Sequence, residues 1–518
     1  MATNDSPDVV LGAIALMQDD WTLVSALLGG TKAMRAAGVA YLPKWPKEEP
    51  DSYQDRLNLS TLLPAYAETV KNMTGRVFAR PITLGDEVPD DIAAWCNDDV
   101  DLRGNNLDVF ASEWFRIGLG YGLAHCLVDF PRAEGIKTKA QEKDAGVRPY
   151  AVMVKPTQVL GFRYRFVNGR PILTQFRYIE QIEEESGEFG TELIQQIRVI
   201  EEKRWRIYRK TEGSGWVIHE DGVNTLGKVP VVTFYTGQTG VMTAKPPLLE
   251  LAHLNVTHWQ SQSDQRNLLH VARVPILVAI NAGDSLGPDG MPVPWEMTVG
   301  SSAATRLQGE GADLKYVEHG GQAINAGRQD LQDLLEEMRM AGARLLSRVD
   351  QAVKTAAQAN EEAAEKISAL EAMGNNFEDA VDQVLQLFAD WTKQATGGFA
   401  TIEGNYDADY APEVSLPVLK QMADAGFLSQ ETLFNEVKRR GVISDSLKWV
   451  DEKARIEEQR GRIDAQVLAQ LMVAKAGKNI SEQSLWDYIS NGRIPGVPWL
   501  TEAAGIDGAI TGDLNGDE

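Results

Sequence analysis

The stretch that decides the fold opens with His270-Val-Ala-Arg-Val-Pro-Ile-Leu-Val-Ala279, crosses a Gly/Pro-rich passage from Gly283 to Pro294, and closes with Gly311-Ala-Asp-Leu-Lys-Tyr-Val-Glu318. The opening reads as the end of a helix followed by an apolar run of strand length, and the close as a second such run. Leu331, Leu334, Leu335, Met338, Ala341 and Leu345 then recur at helical spacings. The pattern predicts helix, compact β insertion, helix. Upstream, Pro246-Pro247 suits the first turn of a helix reaching about His270. That helix is polar on most faces, with Asn255, His258, Gln260, Gln262, Asp264, Gln265 and Arg266. A helix this polar is expected to pack against neighbouring copies or to line water, not to enter a core.

Working outward, Ile367, Leu370, Gly374, Phe377, Val381, Val384, Phe388 and Trp391 alternate spacings of three and four. They predict a long helix with a heptad-like seam. Gly374 costs that helix about 1 kcal/mol relative to Ala, which points to a close approach or a kink. Residues 150–236 form the β region. Val159 to Val167 and Pro171 to Ile179 flank Asn168-Gly169, a strong hairpin signal. Ile194 to Ile200, Trp205 to Lys210, Trp216 to His219 and Val229 to Tyr235 extend it into an antiparallel meander. Residues 1–40 read as helices with an Asp-rich break, and Asp90 to Trp95 and Leu107 to Gly118 as two more. Beyond Ser415 come short helices, Val418 to Ala425 and Gln430 to Arg439, then a charged one from about Ser446 to Ala476. The tail Gly505 to Glu518 is expected to be disordered. The fold class is α+β and helix-rich.

At 518 residues the chain exceeds one compact core. Val9 to Met17 is flanked by Asp5, Asp8, Asp19 and Asp20, so it reads as a short buried helix, not a signal segment. No apolar run reaches the roughly 18 residues that span a bilayer. Cys96 and Cys126 form no CxxC pair, and neither zinc nor a disulfide framework is expected. The net charge of −23 is the reverse of a DNA-gripping surface. It suits solubility, or a wall that DNA passes without sticking.

Most chemical motifs fail on their context. Gly283-Asp-Ser-Leu-Gly287 matches G-x-S-x-G and would offer Ser285 as an esterase nucleophile, but Pro288-Asp-Gly290 follows where an elbow needs a helix. No histidine lies beyond His319 to complete a triad. Gly118-x-Gly120-x-Gly122 precedes a strand and reads as a turn or tight packing site. His253, His258 and His270 lack the i,i+4 spacing of a metal pair. Arg163, Arg165, Arg177, Arg198, Arg204, Arg206 and Arg209 alternate with aromatics as a nucleic-acid platform would. Glu180 to Glu188 and Glu201-Glu202 interrupt them, which favours a solvated sheet face. No catalytic, cofactor-binding or metal residue is assigned.

The decisive stretch, with Tyr41-Leu-Pro-Lys44 and Pro246-Pro-Leu-Leu-Glu-Leu-Ala-His-Leu-Asn255, resembles the portal proteins of tailed bacteriophages. The likeness is to the podovirus-type branch long catalogued as a domain of unknown function, and it covers roughly Tyr41 to Arg440. The resemblance implies a non-enzymatic ring of about twelve copies at one capsid vertex, made in the host cytoplasm. Double-stranded DNA passes through it, the terminase large subunit docks on it, and tail adaptor proteins follow. Major capsid and scaffolding proteins surround it, with no membrane. It further implies a wing at 1–245, stem helices at 246–270 and 327–347, a clip at 271–326 and a tunnel loop at 348–358. The long wing helix and a returning strand take 359–415, and a helical crown 416–518. Asp313, Lys315 and Glu318 would be the motor-docking residues of the clip. Arg348, Asp350 and Lys354 would face DNA from the tunnel loop. A ring of twelve at −23 each carries −276. The alternatives are an esterase-like hydrolase using Ser285 and a non-portal virion scaffold or adaptor.

Overall fold

Gly12–Leu28 forms helix α1 in a computed structural model. The structure describes residues 6–131, 147–211, 213, 215–273, 276–281, 285–286, 288–289, 291–293, 311–317, 321–345, 368–406, 412–439, 442–444 and 447–457. Helix α1 runs straight through Asp19 and Asp20, where the sequence suggested a break. Neither carboxylate is buried, so the helix carries both without desolvating them. The stop falls instead at Gly29 and Gly30, the latter at φ +69°. Then come α2 (Gly30–Ala37), α3 (Pro50–Leu59), α4 (Ala65–Val77), α5 (Asp90–Asp98) and α6 (Leu107–Tyr121). Asn106 caps α6 by accepting from the Val109 N–H at 3.0 Å. Gly122 ends it at φ +91°, and a Cβ there would lie 2.8 Å from the Lys245 carbonyl carbon. Gly118 lies flat against the Phe234 ring. The glycine triplet is thus a cap and a packing site.

Strand β1 (Thr83–Leu84) pairs antiparallel with β16 (Ala400–Thr401), which opens the Thr401-Ile-Glu-Gly-Asn-Tyr406 segment. Strands β2 (Leu123–Asp129) and β3 (Tyr150–Val154) begin a three-stranded sheet. The meander is β4 (Val159–Val167), β5 (Arg170–Ser186), β6 (Gly190–Glu201), β7 (Arg204–Thr211) and β8 (Gly215–Val223), hydrogen-bonded in that order. Asn168 and Gly169 both take positive φ, +51° and +77°, as a type I′ hairpin requires. The last expected meander strand, β9 (Val231–Tyr235), is elsewhere: it pairs with β2 on the side away from β3. Pro230 cannot donate to a ladder, and Asn224, bonded to the Glu201 and Lys228 carbonyls, turns the chain away from β8. A small hairpin of β10 (Gln238–Gly240) and β11 (Thr243–Ala244) follows.

Both faces of β2 are buried. Ala124, Cys126 and Val128 join a core with α4, α6 and the later long helix, while Leu123 and Leu127 join one with α1, β4 and β5. That long helix is α9 (Ala369–Thr392). Ser368 and Glu371 form a capping box at its start. Leu370, Phe377, Val381, Val384 and Phe388 are buried within the chain itself, and Ile367 lies outside the described residues. The Phe377 ring sits 5.0 Å from Trp114, 5.4 Å from Phe115 and 4.8 Å from Phe234, edge to face. Gly374 faces the Tyr406 hydroxyl, so its close approach is to a side chain. Among the described residues no helix is long and apolar enough to cross a membrane.

The chain divides into two units at Ala408/Asp409. The second contains α10 (Pro412–Asp424) and α11 (Gln430–Arg439), the latter capped by Ser429, whose Oγ accepts from the Thr432 N–H at 3.0 Å. Phe434 packs on Trp449 with ring centroids 5.4 Å apart. The tail expected to be disordered lies outside the described residues.

Candidate functional site

Residues 249–343 fold as two helices joined through a β ribbon. Helix α7 (Leu249–Ala272) and α8 (Gln322–Ala343) lie antiparallel. Leu251 meets Gly342 near one end of the pair, and Gln265 meets Ile324 and Gly327 near the other. The two glycines let the backbones come close. The Gln265 amide donates to the Ile324 carbonyl at 2.9 Å. Strand β12 (Ile276–Ile280) leaves α7 and pairs residue for residue with β15 (Asp313–Val317), from Ile276↔Val317 to Ile280↔Asp313. Between them β13 (Ser285–Leu286) pairs with β14 (Pro292–Val293).

Helix α7 is buried in its own chain, contrary to the expectation from its polarity. Asn255 is fully buried: its Oδ1 accepts from the Tyr66 N–H at 3.0 Å and its amide donates to the Leu63 carbonyl at 2.9 Å. Ser263 shares a 2.8 Å hydrogen bond with Ser60, Gln260 donates to the Tyr41 carbonyl at 2.9 Å, and Arg266 donates to the Leu59 carbonyl at 3.3 Å. These partners belong to the Tyr41 loop and to the link between α3 and α4, Ser60 to Pro64, with the helix-end groups of Leu59 and Tyr66 that flank it. Both are irregular backbone whose N–H and C=O groups have no ladder to join. Polar side chains of α7 supply those bonds, so burial costs them little.

Arg56 fastens the same region. Its guanidinium donates twice to Glu48 at 2.8 Å and to the Pro43 carbonyl at 2.9 Å, and stacks 4.0 Å over Trp45. It also lies 3.7 Å from Asp264 on α7. The hydrogen bonds from Arg56 hold the Glu48 carboxyl below the ordinary carboxylate range, against the opposing effect of burial. Sequence reading missed this clamp. Its one signal is a lone arginine on α3 facing a Pro/Trp loop.

Asp313 and Lys315 are exposed on β15, and the Lys315 ammonium lies 3.5 Å from the Asp313 carboxylate, so the two charges partly cancel. Glu318 and the tunnel-loop residues Arg348, Asp350 and Lys354 lie outside the described residues. The ends of that segment are placed: the Leu370 N–H donates to the Leu345 carbonyl at 2.9 Å, so the chain returns to the point it left. Ser285 sits in β13, and a turn at Pro288–Asp289 and strand β14 follow it, where a nucleophile elbow needs a helix. His253 and His270 are exposed while His258 is buried, its Nδ1 without a partner, and burial lowers its pKa. Among the described residues no three His, Cys, Asp or Glu side chains are grouped to hold a metal.

The arginine strip of the meander is largely spent on internal pairs. Arg165 meets Glu202 at 2.7 Å, Arg198 meets Asp129 at 2.7 Å, Arg204 and Arg206 meet Glu201, and Arg209 meets Glu184 at 2.7 Å. Arg177 donates to the Pro7 and Val9 carbonyls. This is not the free row of cations a strand-binding platform needs.

Residues 247–392, the block from α7 through α9, are similar to the family described as a domain of unknown function (DUF4055). No curated protein matches the chain. Among solved structures, a chain of the virion of a native gene transfer agent (GTA) particle is 12% identical at a TM-score of 0.36, over 78% of this chain and 97% of that one. A chain of the neck of an empty GTA particle computed with C6 symmetry is 13% identical at 0.36, over 75% and 93%. One from the neck of a native GTA particle computed with C12 symmetry is 11% identical at 0.34, over 77% and 96%.

Proposed function

We propose that the chain is a ring-forming portal protein of a phage-like particle, a non-enzymatic channel for double-stranded DNA. The observation that carries this reading is the layout of the α7/α8 pair. A helix of 24 residues spans about 36 Å. At one end the pair carries the β12/β15 ribbon, and near the other residues 346–367 leave and rejoin the fold. The ribbon and the point where the chain leaves and rejoins are thereby held far apart by a rigid pair, as a ring needs one end to dock a motor and another to meet its cargo. In this reading 246–270 and 327–347 are the stem helices, 271–326 the clip that terminase and later tail adaptors contact, and 348–358 the tunnel loop. The wing takes 1–245 and 359–415, and 416–518 form the crown. The charge of −23 per copy repels the passing polyanion. Size-exclusion chromatography with negative-stain imaging of the purified chain tests it: closed rings of about twelve are expected. A monodisperse monomer at micromolar concentration in near-physiological salt would overturn it.

A further inference from the structure

The two ends of the meander differ in charge and in what they leave uncovered. Strand β5 is 17 residues long, so its two turns stand roughly 50 Å apart. Strand β4 pairs with β5 only as far as Tyr178, and β7 pairs with β6 only from Gln196. The pairs Gln181↔Gln195 to Ser186↔Gly190 therefore form a two-stranded arm with both edges open. Residues 180–196 contain Glu180, Glu183, Glu184, Glu185, Glu188 and Glu192 and no Lys or Arg. Glu184 stands directly opposite Glu192, a like-charge pair that Arg209 offsets in part by meeting Glu184 at 2.7 Å, while Glu185, Glu188 and Glu192 have no cationic partner within the arm. At the tip Phe189 is 93% exposed and Leu193 67%. A lone hairpin is marginal in water, and this one carries its own repulsion and a bare aromatic.

The other end is its complement. Residues 159–174 contain Arg163, Arg165 and Arg170 and no Asp or Glu. Arg165 is taken by Glu202, while Arg163 and Arg170 have no carboxylate partner among the described residues. Phe162 stacks on Tyr164, and Tyr164 meets Phe166 edge to face, a row along β4 that runs from the core into solvent: Phe166 is 65% exposed. We propose that the acidic β5–β6 arm of one copy docks on the basic, aromatic β4–β5 hairpin of the next. Such a contact joins two different surfaces of the same chain head to tail, the kind that closes into rings. The proposal rests on the ring-forming reading above and names one of its contacts.

The test is a charge swap in the full chain, read by sedimentation velocity in near-physiological salt, with circular dichroism melts confirming that each variant folds. Arg163→Glu with Arg170→Glu makes the hairpin acidic like the arm, and Glu185→Lys with Glu188→Lys makes the tip of the arm, residues 185–190, basic like the hairpin. Each variant alone should need at least about tenfold more protein to assemble, since like charges then face each other. Mixing the two, or combining all four changes in one chain, should restore assembly. If wild type forms rings and both variants assemble as readily, the rings stand and this contact falls. Variants that each fail and are not rescued by mixing also overturn it, because the residues then act within their own fold. The same holds if the arginine variant loses only binding to a single-stranded oligonucleotide, which would make the hairpin a nucleic-acid surface. A wild type that never associates removes the ring reading and the contact together.

Discussion

Helices α7 and α9 are each 24 residues long and each buried in the first unit, yet they are buried by opposite means. Helix α9 presents Phe377, Val381, Val384 and Phe388 to apolar neighbours, and its burial follows from area removed from water. Helix α7 presents Asn255, Gln260 and Ser263 to polar atoms of the Tyr41 loop, the α3–α4 link and the first turn of α4, and its burial follows from hydrogen bonds those atoms would otherwise lack. Polarity along a helix therefore does not report exposure. It reports what kind of neighbour the helix requires.

Side-chain replacement separates the two modes most sharply. Phe377→Ala removes a fully buried ring from the aromatic cluster and should cost about 4 kcal/mol in urea unfolding. Asn255→Leu adds apolar area to α7 and by area alone should stabilise. It should instead cost about 3 kcal/mol, because the Tyr66 N–H and Leu63 carbonyl are left buried without partners. An Asn255→Leu chain more stable than wild type would dissolve the contrast.

Acid sharpens it next. Burial lowers the pKa of His258 on α7, and that of His125 on β2 to about 3 from an ordinary 6.5. A folded pKa below the unfolded one means the unfolded chain binds more protons between those values. Stability is then full above about pH 6.5 and is lost as pH falls toward 3. His125 alone should remove about 2 kcal/mol between pH 7 and pH 5, and His125→Gln should flatten that slope. His258→Asn should flatten it further in the same direction. On α9, burial raises the Asp382 carboxyl, so its contribution is present at low pH and lost as pH rises through its folded value. Thermal melts at pH 7 and pH 5 that coincide for wild type would remove the imidazole argument.

The smallest expected effect lies at Gly374. Ala there gains about 1 kcal/mol of helix propensity but meets the Tyr406 hydroxyl. In wild type Gly374→Ala should therefore be neutral to destabilising by about 1 kcal/mol. With Tyr406→Leu it should turn stabilising by a similar amount. The same sign in both backgrounds would show that Tyr406 does not set the glycine.

Where the sequence was legible, short-range physics decided the outcome. Asn168-Gly169 names its own turn, and the spacing from Leu370 to Phe388 names a helix with one apolar side. Three features were not legible. Helix α7 is buried because Asn255 meets backbone 189 and 192 positions away, and periodicity carries no information about that meeting. Strand β9 reads like any other strand, and only Pro230 hints that it leaves the meander for β2. The Arg56 clamp depends on three segments converging. Of the proposed contact residues, Asp313 and Lys315 were found where a strand was expected, but their mutual pairing needed coordinates.

The pairing of β1 with β16 has a consequence in time. Thr83 bonds alongside Thr401, so the first unit cannot close until roughly 300 further residues have been made. At about 5–20 residues per second that is on the order of half a minute of synthesis. Phe115, and from the middle of that interval Phe234, wait for Phe377, which arrives almost last. Each nascent chain therefore leaves this aromatic cluster incomplete until nearly the whole first unit has emerged, and rings exposed for that time are open to aggregation.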